Sequence, residues 1–168
     1  MTVIPKPVLS PTLSDLQLQV GAPARASQWL TVVQADINDF ARVTHDLDPN
    51  HIDEGYARVH SPTRTTVAFG FQTLSYLTFL LKSAGLFPCD AVEVVNYGFD
   101  RVRFVSYVCV GSRIRGLFRV ISADEKAPTG RILIRYGVEV EIEGQSKPAM
   151  AAVWLALYGK PLGPAELT

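Results

Sequence analysis

The chain has 168 residues, of which 16 are basic and 16 acidic, and 48% are hydrophobic. This length and composition predict one globular domain with a single core and exclude a disordered chain. Because the charges cancel, no long-range field attracts nucleic acid or an anionic membrane surface. Two cysteines are too few for a disulfide framework, so we expect a reducing, cytoplasmic compartment.

The sequence predicts that the two ends of the chain lie outside the folded domain. Three prolines and few apolar anchors in residues 1–15 predict an extended N-terminal arm. This start lacks a charged region followed by an apolar one, so we expect no signal peptide. Residues 16–27 are typical of a connecting segment. We therefore expect one domain over residues 16–160 and a C-terminal tail over 161–168.

The first half of the domain predicts short elements followed by one long helix. Residues 29–33 predict a strand, residues 34–44 an amphipathic helix and residues 53–58 a helical turn. Residues 67–84 predict the long helix, with Gly85 as a natural stop. Its apolar residues fall on nearly every face, so we expect burial all round. The run is interrupted by polar residues and is shorter than the ~20 residues that a bilayer requires.

From residue 91 onward the apolar residues recur with a period of two. Residues 131–143 alternate over thirteen positions, which predicts a strand with one buried and one solvated face. Further strands are predicted at 92–98, 101–110, 113–122 and 149–158. One long buried helix followed by antiparallel strands predicts an α+β domain whose sheet wraps around the helix.

The segment 44–53, Thr-His-Asp-Leu-Asp-Pro-Asn-His-Ile-Asp, contains two of the three histidines. Pro49 prevents a helix from running through it, and Asp48 is pushed toward an extended conformation. The turn therefore projects Asp46 and His51 from a defined backbone, and a carboxylate and an imidazole form an acid/base pair at neutral pH. A polar surface turn is the structural alternative.

The order of helix, Asp-x-x-x-x-His turn, buried helix and strands resembles the MaoC-like hydratases of the hot-dog fold, especially the nodulation protein N-like branch. The segments that carry the resemblance are 36–41, 46–53, 70–75, 96–104 and 110–113. The resemblance covers roughly residues 16–158. It implies a hydro-lyase that interconverts trans-2-enoyl and (R)-3-hydroxyacyl thioesters.

The family's Asp-x-Asn-Pro-x-His motif implies that Asp46 and His51 are the catalytic pair, with Asp48 in place of the asparagine. The resemblance also implies that the backbone N–H of Gly70, at the start of the buried helix, binds the thioester oxygen. The implied substrate-binding positions are Asp48, Ser75 and Thr78.

The chemistry suits these residues. Hydration requires a base that activates water and an acid that protonates the α carbon, and a carboxylate and an imidazole sharing one water can exchange these roles. An N–H at a helix start stabilises the developing enolate oxygen. We therefore expect no metal or redox cofactor.

Four positions depart from the family pattern. His45 replaces a glycine before the turn. In the residues that lead into the buried helix, Arg64 replaces a glycine, Thr65 an arginine and Phe69 a histidine. These changes flank the expected site and keep two alternatives open. One is a diverged tailoring enzyme that dehydrates or cyclises a polyketide-type intermediate; the other is a non-catalytic acyl-thioester-binding subunit.

Other functions are compatible with parts of the same sequence. Asp46, Asp48 and Asn50 begin like a calcium loop, but its sixth and twelfth positions are His51 and Ala57 rather than Gly and Glu. A transition-metal set in the turn is disfavoured by Pro49, whose rigidity opposes convergence of the ligands.

For each of two sets of polar residues, the sequence leaves two interpretations open. The hydroxyls of Ser75 and Thr78 bond either to carbonyls of their own helix or to substrate. Five arginines form either a solvated strand face or contacts to the phosphates of coenzyme A or a carrier-protein arm. They are Arg101, Arg103, Arg113, Arg115 and Arg119.

An exposed sheet edge leaves backbone groups unpaired, and hot-dog proteins usually resolve this by pairing across a two-fold axis. We therefore expect a homodimer that binds an acyl thioester of coenzyme A or acyl carrier protein near its interface. The acyl chain length, the carrier and the direction of reaction do not follow from the sequence.

Overall fold

The computed structural model describes residues 10–160, so the C-terminal tail and most of the N-terminal arm lie outside the described residues. The helices are α1 (Leu13–Leu18), α2 (Gln34–Thr44), α3 (Pro49–Ile52), α4 (Glu54–His60), α5 (Gly70–Ser75) and α6 (Leu77–Ser83). The strands are β1 (Arg25–Ala26), β2 (Leu30–Thr31), β3 (Glu93–Phe104), β4 (Arg113–Lys126), β5 (Arg131–Ile142) and β6 (Met150–Gly159). Helix α1 crosses residue 16, where the domain was expected to start. None of the helices in residues 10–160 is long and apolar enough to cross a bilayer.

The strands form one antiparallel sheet in the order β1-β4-β5-β6-β3, and β2 also pairs with β4. One face of the sheet packs on the helices. Leu77, Leu80 and Leu81 of α6 belong to the same buried cluster as Ile114 and Phe118 of β4. The sheet therefore wraps around the helical segment, as predicted.

Strand β5 confirms the predicted alternation most clearly. Its inward side chains, from Ile132 to Ile142, are all buried, while most residues between them are only partly buried or exposed. Strand β6 is buried or half-buried at every position, as expected for a strand that is covered on both faces. The sheet interior is thus encoded by local sequence pattern.

The prediction of separate strands at 92–98 and 101–110 is wrong. Strand β3 is continuous, with register shifts between Asn96 and Gly98 and between Phe99 and Arg101. Such bulges insert a residue without ending the strand, so they break the alternation of side chains within one continuous strand. Beyond β3, Cys109 forms only an isolated bridge with Val67.

The predicted helix over 67–84 starts later and is less buried than expected. It begins at Gly70, because Val67 pairs with Cys109 and the N–H of Ala68 donates to the carbonyl of Val108 at 2.8 Å. The prediction of burial all round is wrong, since Phe71 is 70% and Phe79 50% exposed in the single chain. One face of the helix packs on the sheet and the other lies open.

The core contains two tyrosine hydroxyls in contact. The Tyr136 hydroxyl on β5 donates to the carbonyl of Leu86 at 3.2 Å and lies 3.2 Å from the Tyr158 hydroxyl on β6. Burial raises the pKa of Tyr136 well above its usual range and that of Tyr158 to about 12. Both phenols are therefore held in the neutral form.

Candidate active site

The segment that leads from α2 to α4 consists of the end of α2, a short linker and the one-turn helix α3. Helix α2 ends at Thr44, and His45 follows in the left-handed conformation with φ 59°. Pro49 is the first residue of α3, where its missing N–H leaves no hydrogen bond unmade. The Asp48 carboxylate caps this turn by accepting from the N–H of Asn50 at 2.8 Å. The backbone around the expected catalytic pair is thus fixed locally.

The imidazole of His51 is held from two sides. Its Nδ1 lies 2.7 Å from the carbonyl oxygen of Val67. Because a carbonyl only accepts, Nδ1 carries the proton of the neutral ring and Nε2 keeps its lone pair. The ring also stacks on Phe69 with a centroid distance of 3.7 Å and an interplanar angle of 25°. Orientation and tautomer are both set by the residues that lead into α5.

A second group of contacts ties the backbone of the turn to the same residues. The Gln34 amide donates to the carbonyl of His51 at 2.8 Å, and its oxygen accepts from the Thr66 hydroxyl at 2.5 Å. The N–H of Val67 donates to the carbonyl of Asn50 at 3.3 Å. Helix α2, the turn and the start of α5 therefore form one hydrogen-bonded unit.

Asp46 lies on the open side of the turn. Its carboxylate is exposed and accepts from the N–H of Asp48 at 3.3 Å. Within residues 10–160, no hydrogen bond or ion pair joins Asp46 to His51. The backbone N–H of Asn50 lowers the pKa of the neighbouring Asp48 carboxyl, so that side chain is a structural cap as well as a candidate substrate contact.

Gly70 is the first residue of α5. The residue before it, Phe69, makes no side-chain capping hydrogen bond, so the helix leaves its first N–H groups to other partners. A Cβ on Gly70 would lie 3.1 Å from the Phe104 ring, which means that glycine lets this ring approach the helix start. His51 stacks on the ring of Phe69, the residue that precedes Gly70.

Ser75 and Thr78 lie on the open face of the helical segment, together with Phe71 and Phe79. The Ser75 hydroxyl donates to the carbonyl of Phe71 at 2.8 Å, so this hydroxyl bonds within its own helix and not to a distant group. Thr78 is eight residues from Gly70, roughly 12 Å along a helix.

Sequence reasoning missed Gln34, Thr66 and Phe104. All three contact residues that are distant in sequence, so the periodicity of the sequence does not indicate these contacts. Thr66 is fully buried and its hydroxyl has a partner in Gln34, as a buried hydroxyl requires, but that burial is not visible in the sequence. As for metals, no three His, Cys, Asp or Glu side chains in residues 10–160 are grouped closely enough to bind one ion.

The chain belongs to the MaoC family, because the profile of the MaoC like domain matches residues 15–141. The antiparallel sheet around α5 and α6 is the hot-dog fold, and the chain shares it with solved structures of that class. R-hydratase PhaJ1 from Pseudomonas aeruginosa superposes with a TM-score of 0.68 at 18% identity, covering 95% of this chain and 94% of that one. The predicted resemblance and fold are both confirmed.

Two relatives are similar to this chain over most of its length. Nodulation protein N from Rhizobium meliloti is 40% identical over 146 residues, which cover 87% of this chain and 90% of that protein. 3-Hydroxyacyl-thioester dehydratase Z from Mycobacterium tuberculosis is 32% identical over 148 residues, covering 88% and 95%. The family and these relatives support a hydro-lyase.

Proposed function

We propose that the chain interconverts trans-2-enoyl and (R)-3-hydroxyacyl thioesters. The observation that supports this most is the state of His51. Its Nδ1 proton is committed to the Val67 carbonyl, which leaves Nε2 as a proton acceptor on a ring that stacks on Phe69, the residue before α5. A base beside an oxyanion donor is the arrangement that water addition to a thioester requires.

In the hydration direction, the oxygen of water bonds to C3 of the enoyl group while a proton of that water moves to the catalytic pair. The C2=C3 electrons shift toward the thioester, and the N–H of Gly70 binds the oxygen that becomes negative. C2 then takes a proton from the pair to complete the 3-hydroxyacyl product. Asp46 and His51 share one water and exchange the acid and base roles when the reaction reverses.

The substrate is an acyl thioester of coenzyme A or of acyl carrier protein. In this proposal Asp48, Ser75 and Thr78 contact it, and the acyl chain runs along the open helix face. That face offers apolar surface, because Phe71 and Phe79 are exposed and Phe71 packs edge-on against Phe104 at 5.9 Å. No cofactor is needed, and the protein would work in the cytoplasm.

The active unit in this proposal is a homodimer. Strand β3 is the last strand of the sheet formed by residues 10–160, so its outer edge has no partner there. Six large apolar side chains at or next to this strand are at least 44% exposed, which a second copy would cover. They are Val92, Val94, Tyr97, Phe104, Val105 and Tyr107. Light scattering should give twice the 18.4 kDa chain mass, and a stable monomer at micromolar concentration would contradict the dimer.

The reaction is tested by following enoyl absorbance with crotonyl and longer enoyl thioesters, alongside dehydration of the 3-hydroxy compounds. We expect turnover by the wild type and a loss of ~10²–10⁴-fold in the Asp46→Asn variant, since a general base contributes that much. The Asp46→Asn, His51→Ala double variant should lose little more than the worse single variant, because both residues act on one water. Full activity in Asp46→Asn would remove the turn from the mechanism.

One observation keeps a second function open. Phe69 stands where the family has histidine, and it stacks directly on His51. A changed neighbour of the catalytic imidazole is what a diverged tailoring enzyme for polyketide-type intermediates would show. If the wild type turns over none of the simple thioesters, this reading or a non-catalytic binding subunit takes precedence.

A further inference from the structure

The five arginines on the outer face of the sheet fall into two groups. Arg113 and Arg115 form ion pairs of 2.7 Å with Glu143 and 2.6 Å with Glu141. Their guanidinium groups also lie 5.5 Å and 4.5 Å from the ring centroid of Trp29. These two arginines are therefore occupied within the fold, as the solvated-face interpretation expected.

The other three arginines are Arg101, Arg103 and Arg119. None of them forms an ion pair with a residue in the part of the chain that the structure describes. All three line one cavity of about 500 Å³, a volume in the range of small-molecule sites. Glu139 is the single carboxylate in its lining, so the cavity carries a net positive charge.

Strand register explains how the cavity is formed. Arg119 of β4 is opposite Gly137 of β5, Gly137 is opposite Val153 of β6, and Val153 is opposite Arg101 of β3. Adjacent strands are ~4.8 Å apart, so the two arginines lie ~14 Å apart at the ends of one row. Their long side chains can converge over the small residues between them.

Gly137 lets the side chain of Arg119 lie across the base of this cavity. A Cβ at this position would lie 3.1 Å from Nε of Arg119 and 3.2 Å from Cδ1 of Ile121. Beside Gly137, the base continues with Val153 and, in the next row, with Ala151. The result is a shallow, largely apolar base flanked by arginines of β3 and β4.

We propose that this cavity binds an organic phosphate, whose flat apolar part lies on the base formed by Val153 and Ala151 and whose phosphates contact Arg101 and Arg119. The planar guanidinium group pairs with phosphate oxygens and also stacks on aromatic rings. An apolar base without arginines would not favour a charged ligand. The ligand has two possible sources: the nucleotide end of a coenzyme A thioester, or a separate nucleotide. The site goes beyond the proposed function and does not depend on it.

The test is calorimetric titration of the full chain with adenosine 3′,5′-bisphosphate, with adenosine as the phosphate-free probe. We expect binding of the bisphosphate only. Arg101→Met and Arg119→Met should each weaken it roughly tenfold or more, the effect of losing a charged hydrogen bond. Gly137→Val displaces the Arg119 side chain without changing charge and should weaken binding at least as much as Arg119→Met. Arg113→Met, from the same face but outside the cavity, is the matched control and should leave affinity unchanged.

No heat with the bisphosphate at millimolar concentration, or equal weakening in Arg113→Met, would overturn the proposal. The source is read from Arg119→Met with crotonyl-coenzyme A and crotonyl-pantetheine. A KM raised only for the coenzyme A ester identifies the substrate's own nucleotide, and two unchanged KM values identify a separate ligand. Bisphosphate binding by a chain without hydratase activity would support this site while contradicting the proposed function.

Discussion

The two ends of the turn from Asp46 to His51 differ in how the fold holds them. His51 is held by a 2.7 Å hydrogen bond, by stacking on Phe69 and by Gln34 at its backbone. Asp46, five residues earlier, is exposed and, among residues 10–160, accepts one hydrogen bond, from the N–H of Asp48 at 3.3 Å. The chain thus orients the imidazole by itself, while the carboxylate keeps freedom to meet a water and a substrate. Asymmetry of this kind predicts different responses to mutation at the two ends.

The largest contrast should come from His51→Ala and Asp46→Asn compared for both activity and stability. We expect each to lower kcat/KM by ~10²–10⁴-fold. Only His51→Ala should also lower Tm, because it removes packing and a hydrogen bond that Asp46 does not make. Parallel kinetics and thermal unfolding measure the contrast, and an equal Tm loss in Asp46→Asn would contradict it.

The next effect concerns Gly70. Gly70→Pro removes the N–H and should lower turnover by ~10²–10³-fold. Proline is well tolerated here, since the position is the first of α5 and the preceding Phe69 is extended at φ −63° and ψ 144°. Gly70→Ala is the matched control, because it adds the same contact to Phe104 but keeps the N–H. If both variants lose activity equally, crowding at Phe104 and not the N–H is responsible.

A smaller effect is expected from the residues that support His51. Thr66→Val leaves the Gln34 oxygen without its 2.5 Å partner, which should destabilise the fold by ~1–3 kcal/mol. Activity should fall less than in His51→Ala, because the ring keeps its own hydrogen bond. Thr65→Val, next in the chain, is the control for loss of a hydroxyl. Urea unfolding that shows no difference between the two variants would exclude the supporting role.

The smallest expected effect lies at the two left-handed residues, His45 and Arg64, with φ 59° and 57°. Both stand where the family has glycine, and a non-glycine residue there is strained by ~1–2 kcal/mol. His45→Gly should stabilise the fold by roughly 0.5–1 kcal/mol after the entropy of glycine is subtracted.

Arg64→Gly should gain less, because Arg64 also donates to the carbonyls of Val59 and Arg58 at 2.8 Å and 3.3 Å. Those carbonyls end helix α4, where a positive charge is favourable. Chemical unfolding of both variants measures the difference. Equal gains would show that the arginine contacts contribute nothing to stability.

These residues also show what the sequence could and could not predict. Helix α2 has the predicted bounds of 34–44 and β5 the predicted alternation, because both follow from local periodicity. The start of α5 was misplaced by three residues, because Val67 is extended by pairing with Cys109, 42 positions further along the chain. Pattern arguments do not include such distant partners.

The same limit applies to the site. The spacing of Asp46 and His51 was visible in the sequence, and the resemblance supplied their roles. The unequal support of the two was not visible, since it depends on Gln34 and Thr66 meeting across 32 positions. For the same reason, the sequence could not divide the five outer-face arginines into those with and those without an acidic partner. Only the strand register reveals which of them have acidic partners.

The contact between Tyr136 and Tyr158 provides an optical reporter of the core. A phenol whose pKa is raised in the folded chain stays neutral, whereas the same phenol in the unfolded chain ionises near its usual value of 10.0. Between that pH and about 12, the unfolded chain binds fewer protons, so folding stability falls as pH rises through this window. Tyrosinate absorbance from these two rings should therefore appear only with loss of the sheet interior. Because the chain has six tyrosines, the contribution of these two is isolated by subtracting the titration of a Tyr136→Phe, Tyr158→Phe variant, and that difference marks unfolding without an added dye.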